Sequence, residues 1–302
     1  MSSPELNAAL SCYSPIFPKI PMSLPAQFVP TAFSLGAVFA WGTSDFLGGY
    51  ASRRGNAFVI TAIAHASGLL LIVPLALVTH AQFLSGQGVA WALAAGASGG
   101  SALAVFYRAL ASGRMGLIAP VAAVIGAALP TIVGMFTEGF PGAVPVFGFL
   151  LAAIGLWLIS RSEDGSGPER IGIAVLAGIG FAGFYLCIRR AGDGSALWLA
   201  TFSRTGAFIV TGLVVLVQRT FRDVTPAGAR WGIIAGFLDV SGTVFFVRAS
   251  QTGRLDAAVV LSSLYPAITV LLARLVLREH FTRWKAVGIF AAMLAVPLIA
   301  GQ

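Results

Sequence analysis

The sequences WALAAGASGGSALAVFYRALASGR at residues 91–114 and WGIIAGFLDVSGTVFFVRASQTGR at residues 231–254 decide how this chain folds. Each begins with Trp, and a shift of 140 positions superposes six informative pairs: Trp91 on Trp231, Gly96 on Gly236, Phe106 on Phe246, Arg108 on Arg248, Gly113 on Gly253 and Arg114 on Arg254. Any two Gly- and Ala-rich helices align somewhere, but Trp and two Arg in one register argue against chance. The chain therefore contains an internal repeat.

The composition outside these stretches is that of a membrane protein. Of the 302 residues, 57% are hydrophobic and 10% are charged, and the mean hydropathy is +0.89. Soluble domains carry about 25% charged residues, so this class is excluded. The net charge of +8 is spread over single or paired basic residues between apolar runs. That distribution is typical of residues flanking a membrane, and we predict no nucleic-acid binding.

Apolar runs long enough to cross hydrocarbon follow one another along the chain. We predict an all-α polytopic membrane protein with ten spans, near residues 31–50, 57–79, 88–110, 115–136, 143–160, 170–188, 196–217, 230–250, 255–277 and 284–300. The polar string at 160–170 is the longest break. We predict a first repeat at 31–160, a loop at 161–169 and a second repeat at 170–302. Five helices per repeat make the two repeats inverted, as in many secondary transporters.

Residues 1–30 hold six prolines, no basic start and no long apolar core, so we predict a disordered leader or a start upstream of the native one, and no signal peptide. The cysteines are Cys12 and Cys187, in unrelated contexts. Their spacing supports neither a disulfide framework nor a cysteine metal site, and we predict no metal or other cofactor.

The segment from Gly253 to Ile299 resembles the C-terminal hallmark of the EamA group of the drug/metabolite transporter superfamily. Pro266, Glu279 and Gly288 stand where the family pattern has a helix proline, a helix-end glutamate and a glycine. In the first half Glu138 matches, whereas Gly126 replaces the proline, and AWGTSDFLGG at 40–49 is similar to the family's first-helix signature. The resemblance covers about residues 31–301. It implies ten helices in two inverted halves and export of amino acids, drugs or other metabolites.

Four ionisable residues fall inside predicted spans: Asp45, His65, Arg204 and Asp239. Such residues are costly in hydrocarbon and tend to mark transport paths. We predict that Arg204 and Asp239 face a common cavity, with a purely structural ion pair as the alternative. His65 is either a proton relay or a neutral ring packed between helices. Asp45 either lines the substrate path or flanks the membrane.

Aromatic rings and one proline complete the candidate substrate-binding or coupling residues. Trp41 lies one turn before Asp45, and Tyr185 and Tyr265 lie in the sixth and ninth spans, where they would stack on an organic cation or an aromatic substrate or simply pack. Pro266 has no N–H, so it leaves a backbone carbonyl of the preceding helical turn without its usual hydrogen bond. This indicates either an inward-facing polar site with Ser262 and Ser263 or an ordinary helix kink.

Three functions compete. The first is a secondary transporter, and the family resemblance implies that it is an exporter. Its partners would be a small-molecule substrate, the lipid bilayer and an unassigned proton or other ion. The second is a non-transporting scaffold or receptor. The third is an intramembrane serine protease with Ser98, in the sequence GASGG, as the nucleophile. Such a nucleophile needs a histidine on a later span, and the only later histidine is His280, which lies in a charged turn. We therefore predict no catalytic residue, and the sequence gives no oligomeric state.

Two observations disagree about orientation in what we predict is a bacterial-type inner membrane. Odd-numbered loops carry twelve Lys and Arg, whereas even-numbered loops and both tails carry five. The positive-inside rule then puts the odd loops in the cytoplasm and both termini outside. The family resemblance implies termini inside. We favour the charge count because it belongs to this chain.

Overall fold

The computed structural model describes residues 28–111, 115–160, 168–192, 194–278 and 282–300. Within these ranges the chain is helical apart from short turns and one β-bridge between Gly55 and Val224. The helices are α1 (Val29–Ser52), α2 (Ala57–Val78), α3 (Gly86–Ala111), α4 (Met115–Thr137), α5 (Ala143–Ser160), α6 (Pro168–Arg190), α7 (Ala196–Gln218), α8 (Pro226–Thr252), α9 (Leu255–Ser262), α10 (Pro266–Leu277) and α11 (Arg283–Ala300).

Helices are present at all ten predicted spans, but they are not equally suited to cross a membrane. Seven segments in the described ranges are long and apolar enough: residues 57–78, 86–111, 118–137, 172–190, 196–218, 226–252 and 255–277. α5 contributes only the shorter apolar stretch Ala143–Ile159, and α1 and α11 are outside this set. The chain is therefore an all-helical, multi-pass membrane protein, and the number of ten spans stays a prediction.

The structure differs from the sequence prediction in two details, although residues 255–277 still form one candidate membrane span. α1 begins at Val29, so the last residues of the predicted leader 1–30 are helical, whereas its residues 1–27 lie outside the described ranges. The ninth span is two helices, because residues 263–265 form a turn between α9 and α10. Pro266 has no N–H to donate to the Ser262 carbonyl, so the hydrogen-bond ladder stops there, and a proline favours the first turn of the next helix.

The surface of the bundle is apolar and part of its interior is charged. Leu70 is 77% exposed and Phe136 is 87% exposed, and large exposed apolar side chains occur on most helices. By contrast, Arg204 and Asp239 are each only 6% exposed. This distribution is the reverse of that in a soluble protein, and it is stable only where hydrocarbon covers the outer surface.

Many helix contacts recur when each helix is replaced by its counterpart in the other half. In this exchange α1 corresponds to α6, α2 to α7, α3 to α8, α4 to α9 and α10 together, and α5 to α11. α1 packs on α8 and α3 packs on α6; α3 packs on α7 and α2 packs on α8. α4 packs on α6, as α1 packs on α9 and α10. Three further contacts join corresponding helices: α2 with α7, α5 with α11, and α4 with α9 and α10. The contacts of α4 with α5 and of α1 with α3 have no equally extensive counterpart in the other half.

Glycines permit the closest of these crossings. A Cβ on Gly96 would lie 1.8 Å from the Ser203 carbonyl oxygen, and one on Gly236 would lie 2.0 Å from the Ala64 carbonyl oxygen. Positions 96 and 236 are the repeat-related pair, so the α3–α7 and α2–α8 crossings have the same construction. Small residues are the usual means by which helices approach in lipid, where burial of apolar side chains provides little driving force.

The bundle has two ends, each joined by hydrogen bonds between turns. End 1 contains the turns 79–85, 138–142 and 191–195, and the Trp198 indole N–H donates there to the Ala81 carbonyl at 3.0 Å. End 2 contains the turns 53–56 and 219–225, and the Asn56 N–H donates to the Asp223 carbonyl at 2.7 Å.

The repeat-related tryptophans lie at opposite ends. Trp91 is in the second turn of α3, which begins at end 1. Trp231 is in the second turn of α8, which begins at end 2, where its ring lies 6.1 Å from that of Tyr50.

We expect Gly236→Ala to lower the free energy of unfolding by about 1–3 kcal/mol, because the added methyl group collides with backbone of α2 and the helices must separate. Gly212→Ala in α7 is the matched control, since a Cβ there meets nothing within 4 Å. Alanine in a helix interior is favoured over glycine by about 0.5–1 kcal/mol, so the control should be neutral or stabilising. The measurement is the thermal unfolding midpoint in detergent. Equal midpoints for the two variants would contradict the packing argument.

Candidate functional site

A cavity of about 60 Å³ lies inside the bundle among α1, α3, α6, α7, α8 and the turn before α10. It has room for a few water molecules, since one water needs about 10–15 Å³ of such volume. The lining residues are Trp41, Asp45, Gly96, Gly99, Gly100, Leu103, Phe181, Phe184, Tyr185, Ser203, Arg204, Ala207, Asp239 and Tyr265. Six of the eight sequence-predicted site residues line this one space; His65 and Pro266 do not.

An ion pair between Arg204 of α7 and Asp239 of α8 forms the polar side of the cavity. The Arg204 Nη1 group contacts the Asp239 carboxylate, and Nη2 donates to the Thr243 hydroxyl. Thr243 is one helical turn after Asp239, on the same face, and its hydroxyl also lies 3.1 Å from the Asp239 carbonyl. The pairing keeps two charges at this depth, where a single unpaired one costs at least about 2.5 kcal/mol.

His65 of α2 contacts the same guanidinium from the other side. Its Nδ1 atom lies 3.1 Å from Arg204 Nη1. Arginine only donates, so Nδ1 accepts and the imidazole is neutral, with its proton on Nε2. The buried Nε2 atom has no hydrogen-bond partner within the described residues. His65 therefore supports Arg204 from behind the cavity wall.

Trp41 connects the aromatic side of the cavity to the ion pair. Its indole N–H donates to the Asp239 carbonyl at 3.2 Å, and its ring lies 6.2 Å from Phe184, 6.1 Å from Tyr185 and 6.4 Å from Tyr265. A Cβ on Gly242 would lie 2.5 Å from Trp41, so the indole occupies space that a glycine leaves on α8.

Asp45 lies one turn after Trp41 and also faces the cavity. It is 6% exposed, so the alternative in which it merely flanks the membrane does not describe its position. Neighbouring Ser44 is tied to α8 and α3, because its hydroxyl donates to the Ala235 carbonyl at 2.8 Å and lies 3.2 Å from the Tyr107 hydroxyl. In the described ranges no basic group or hydrogen-bond donor contacts the Asp45 carboxylate.

The break in the ninth span presents Tyr265 to the cavity. Tyr265 is buried, and its hydroxyl has no partner within the described residues. Pro266 begins α10 and does not line the cavity itself, while the hydroxyls of Ser262 and Ser263 are buried beside the break. Pro266 thus acts through the turn that it imposes on the preceding residues.

Sequence reasoning missed several lining residues. Gly96, Gly99 and Gly100 line the cavity and leave space in it, and nothing in their sequence context indicates this role. The spacing of four between Asp239 and Thr243 was a usable signal for the hydroxyl that binds Arg204. Nothing local distinguished Phe184 from other aromatic residues in the spans.

A second polar cluster closes end 1. The Glu138 carboxylate accepts from Arg189 Nη2 at 2.7 Å and from the Leu255 N–H at 2.8 Å. Arg254 donates to the Glu138 carbonyl at 3.0 Å and pairs with Asp256 at 2.8 Å. Hydrogen bonding to Asp256 raises the pKa of Arg254 above its usual value, so the guanidinium stays charged at physiological pH. The cluster joins the ends of α4 and α6 to the start of α9.

The residues of the protease alternative do not form a catalytic pair in the described structure. The Ser98 hydroxyl donates to the Gly180 carbonyl of α6 at 2.9 Å, which is a contact between helices. His280, the histidine considered for that alternative, lies outside the described residues, as does Cys12. No group of three His, Cys, Asp or Glu side chains in the described ranges is placed to hold a metal ion.

We expect Asp239→Asn and Arg204→Gln to lower the free energy of unfolding by about 3–5 kcal/mol each, because each leaves one buried charge without its partner. The double variant should be more stable than either single variant, since it removes both charges. Thermal unfolding in detergent of the four proteins forms a double-mutant cycle. Additive effects of the two substitutions would show that the pair is not coupled.

Comparisons with known proteins agree with this architecture. A family model described as "EamA-like transporter family" matches residues 170–301. A solved crystal structure matches 89% of this chain and 97% of its own, with a TM-score of 0.72 and 15% identity, which shows a shared fold and no more. A search of curated proteins gives no match. The family match confirms the resemblance predicted from the sequence, over residues 170–301.

Proposed function

We propose that the protein is a secondary transporter that exports a small organic molecule by alternating access to the central cavity. The observation that carries the proposal is the cavity itself, where a buried ion pair, a further carboxylate and several aromatic rings meet inside a multi-pass bundle. Ionisable groups inside a membrane usually mark a transport path. The EamA-like match of the second half supports the same class of function.

The proposed architecture is two inverted repeats, at residues 31–160 and 170–302. Three observations support it: the helix contacts that survive exchange of the halves, the matching glycine crossings at Gly96 and Gly236, and the opposite ends of Trp91 and Trp231. In such transporters the two halves move against each other around a site at their interface. The cavity fits that arrangement because helices of both halves line it.

The contacts at the two ends are suited to open in turn. The Arg189 side chain is 41% exposed, and exposed ion pairs contribute only about 0–1 kcal/mol, so the pair with Glu138 is inexpensive to break. End 2 is joined by the backbone pairing of residues 54–56 with 223–225. We propose that opening one end while the other stays joined exposes the cavity to one side of the membrane at a time.

The Arg204–Asp239 pair would link substrate binding to this movement. A substrate with a charged group competes for one partner and releases the other, which changes the contact between α7 and α8. Thr243 and His65 hold the guanidinium in place during that exchange. The ion pair is thus proposed to act in the transport cycle as well as in stability.

We expect the Asp239→Asn, Arg204→Gln double variant to fold and insert but to lose substrate flux. Thermal stabilisation of the purified protein by a panel of metabolites and drugs identifies candidate substrates, and flux of the hits is then measured in proteoliposomes. Ser241→Ala in α8 is the control, because its hydroxyl only bonds to its own helix. Full flux by the double variant would reject the role of the pair, and absence of any ligand-dependent flux in the unmodified protein would favour the scaffold alternative.

We further propose that end 2 faces the cytoplasm, because the turns at that end carry the larger share of Lys and Arg. His80 at end 1 and Asp223 at end 2 are both exposed and allow a matched test. In a background without Cys12 and Cys187, we expect an impermeant thiol reagent outside intact cells to label His80→Cys but not Asp223→Cys. The reverse pattern would support the orientation implied by the family resemblance.

A further inference from the structure

One carboxylate in the cavity has no partner. Asp45 is only 6% exposed and lines the cavity. Within the described residues its carboxylate contacts no hydrogen-bond donor and no basic side chain. The other acidic group of the cavity, Asp239, is paired with Arg204 through its Oδ2 atom. A buried charge without a partner is costly, so Asp45 in its ionised form calls for a cationic or donor group that the chain itself does not supply.

The charges around the cavity sum to one negative charge when both carboxyl groups are ionised. Asp45 and Asp239 carry two negative charges, Arg204 carries one positive charge, and the acceptor role of His65 Nδ1 makes its ring neutral. Both Nη groups of Arg204 already have acceptors, in Asp239, His65 and Thr243. The Nε–H of Arg204 has no acceptor among the described residues, so it is the one donor that an anion could use without displacing these partners. The excess negative charge of the cavity nevertheless favours a cation, which can bind at Asp45 before any competition for Asp239 begins.

The walls next to Asp45 suit an organic cation. Trp41, Phe184, Tyr185 and Tyr265 face the same space, and aromatic faces attract ammonium groups most strongly when water is excluded. The Tyr265 hydroxyl is a second buried polar group that has no partner there. An ammonium group donates hydrogen bonds to both oxygens at once. A bare divalent metal ion would require about six oxygen ligands, which these rings do not provide.

We propose that Asp45 binds the ammonium group of a small amine and that Tyr265 accepts a second hydrogen bond from it, so that the transported substrate is an organic cation. That the amine is transported rests on the proposed function, whereas the amine-binding site does not depend on it. The apolar part of the amine contacts Trp41 and Phe184.

The test uses four compounds that share one branched carbon skeleton and differ in charge: isobutylamine, isobutanol, isovalerate and valine. Binding to the detergent-purified protein is measured at pH 7 by thermal-shift titration. We expect isobutylamine to raise the unfolding temperature saturably and isobutanol and isovalerate not to do so. Asp45→Asn should weaken isobutylamine binding about tenfold or more, since the contact is a charge-assisted hydrogen bond. Asp223→Asn, on the exposed turn at end 2, should leave binding unchanged.

Tyr265→Phe gives an independent variant, because it removes a hydroxyl that has no partner within the described residues and should fold normally. We expect it to weaken isobutylamine binding about threefold or more. The inference is overturned if isobutylamine does not bind the unmodified protein, if isovalerate or valine binds more tightly, or if Tyr265→Phe and a folded Asp45→Asn protein bind isobutylamine as the unmodified protein does.

Flux of radiolabelled isobutylamine in proteoliposomes separates this inference from the proposed function. Binding that depends on Asp45 without flux of any compound would reject transport and keep the cation site. Flux of isovalerate or valine, with no binding of isobutylamine, would keep transport and reject the cation. Flux of isobutylamine that Asp45→Asn abolishes would support both.

Discussion

A charge placed inside hydrocarbon has to find its counter-charge within the bundle, and the Arg204–Asp239 pair is where this chain meets that constraint. The pair joins α7 to α8, and Thr243 and His65 contact the two Nη groups of the guanidinium. The Trp41 indole joins α1 to the Asp239 carbonyl. Helices from both halves thus meet at one polar centre. Their contact at this centre would have to change whenever the halves move against each other.

Close packing around this centre depends on residues without side chains. Gly96 and Gly236 bring α3 against α7 and α2 against α8, and Gly155 and Gly288 do the same for α5 and α11. In lipid, where apolar side chains gain little by leaving one hydrocarbon surface for another, close backbone approach supplies much of the attraction between helices. The same absence of side chains at Gly99 and Gly100 leaves the cavity open beside the aromatic rings.

The ion pair in the cavity and the ion pair at end 1 differ in how much free energy is needed to break them. The central ion pair is buried and cannot be broken cheaply, whereas the Arg189–Glu138 pair at end 1 is partly exposed and contributes little. In the proposed transport cycle this difference means that the end contacts open readily, whereas the central pair opens only when a charged substrate replaces one of its partners. Asp45 belongs to neither group, because within the described residues its carboxylate contacts no donor or basic side chain.

The sequence by itself determined the membrane class, the approximate positions of the helices and the resemblance of residues 170–301 to the EamA-like transporter family. Hydropathy, the 140-residue register and the Gly253–Ile299 pattern can all be read along the chain without coordinates. It also identified Asp45, Arg204 and Asp239, since an ionisable residue inside an apolar run is visible without coordinates. Only the tertiary structure decided their partners. Which side of a helix faces which neighbour depends on crossing angles and rotations set by contacts across the whole bundle. Sequence reasoning could therefore suggest that Arg204 and Asp239 meet, but it could not show that Thr243 and His65 also contact Arg204 or that Asp45 has no partner in the cavity.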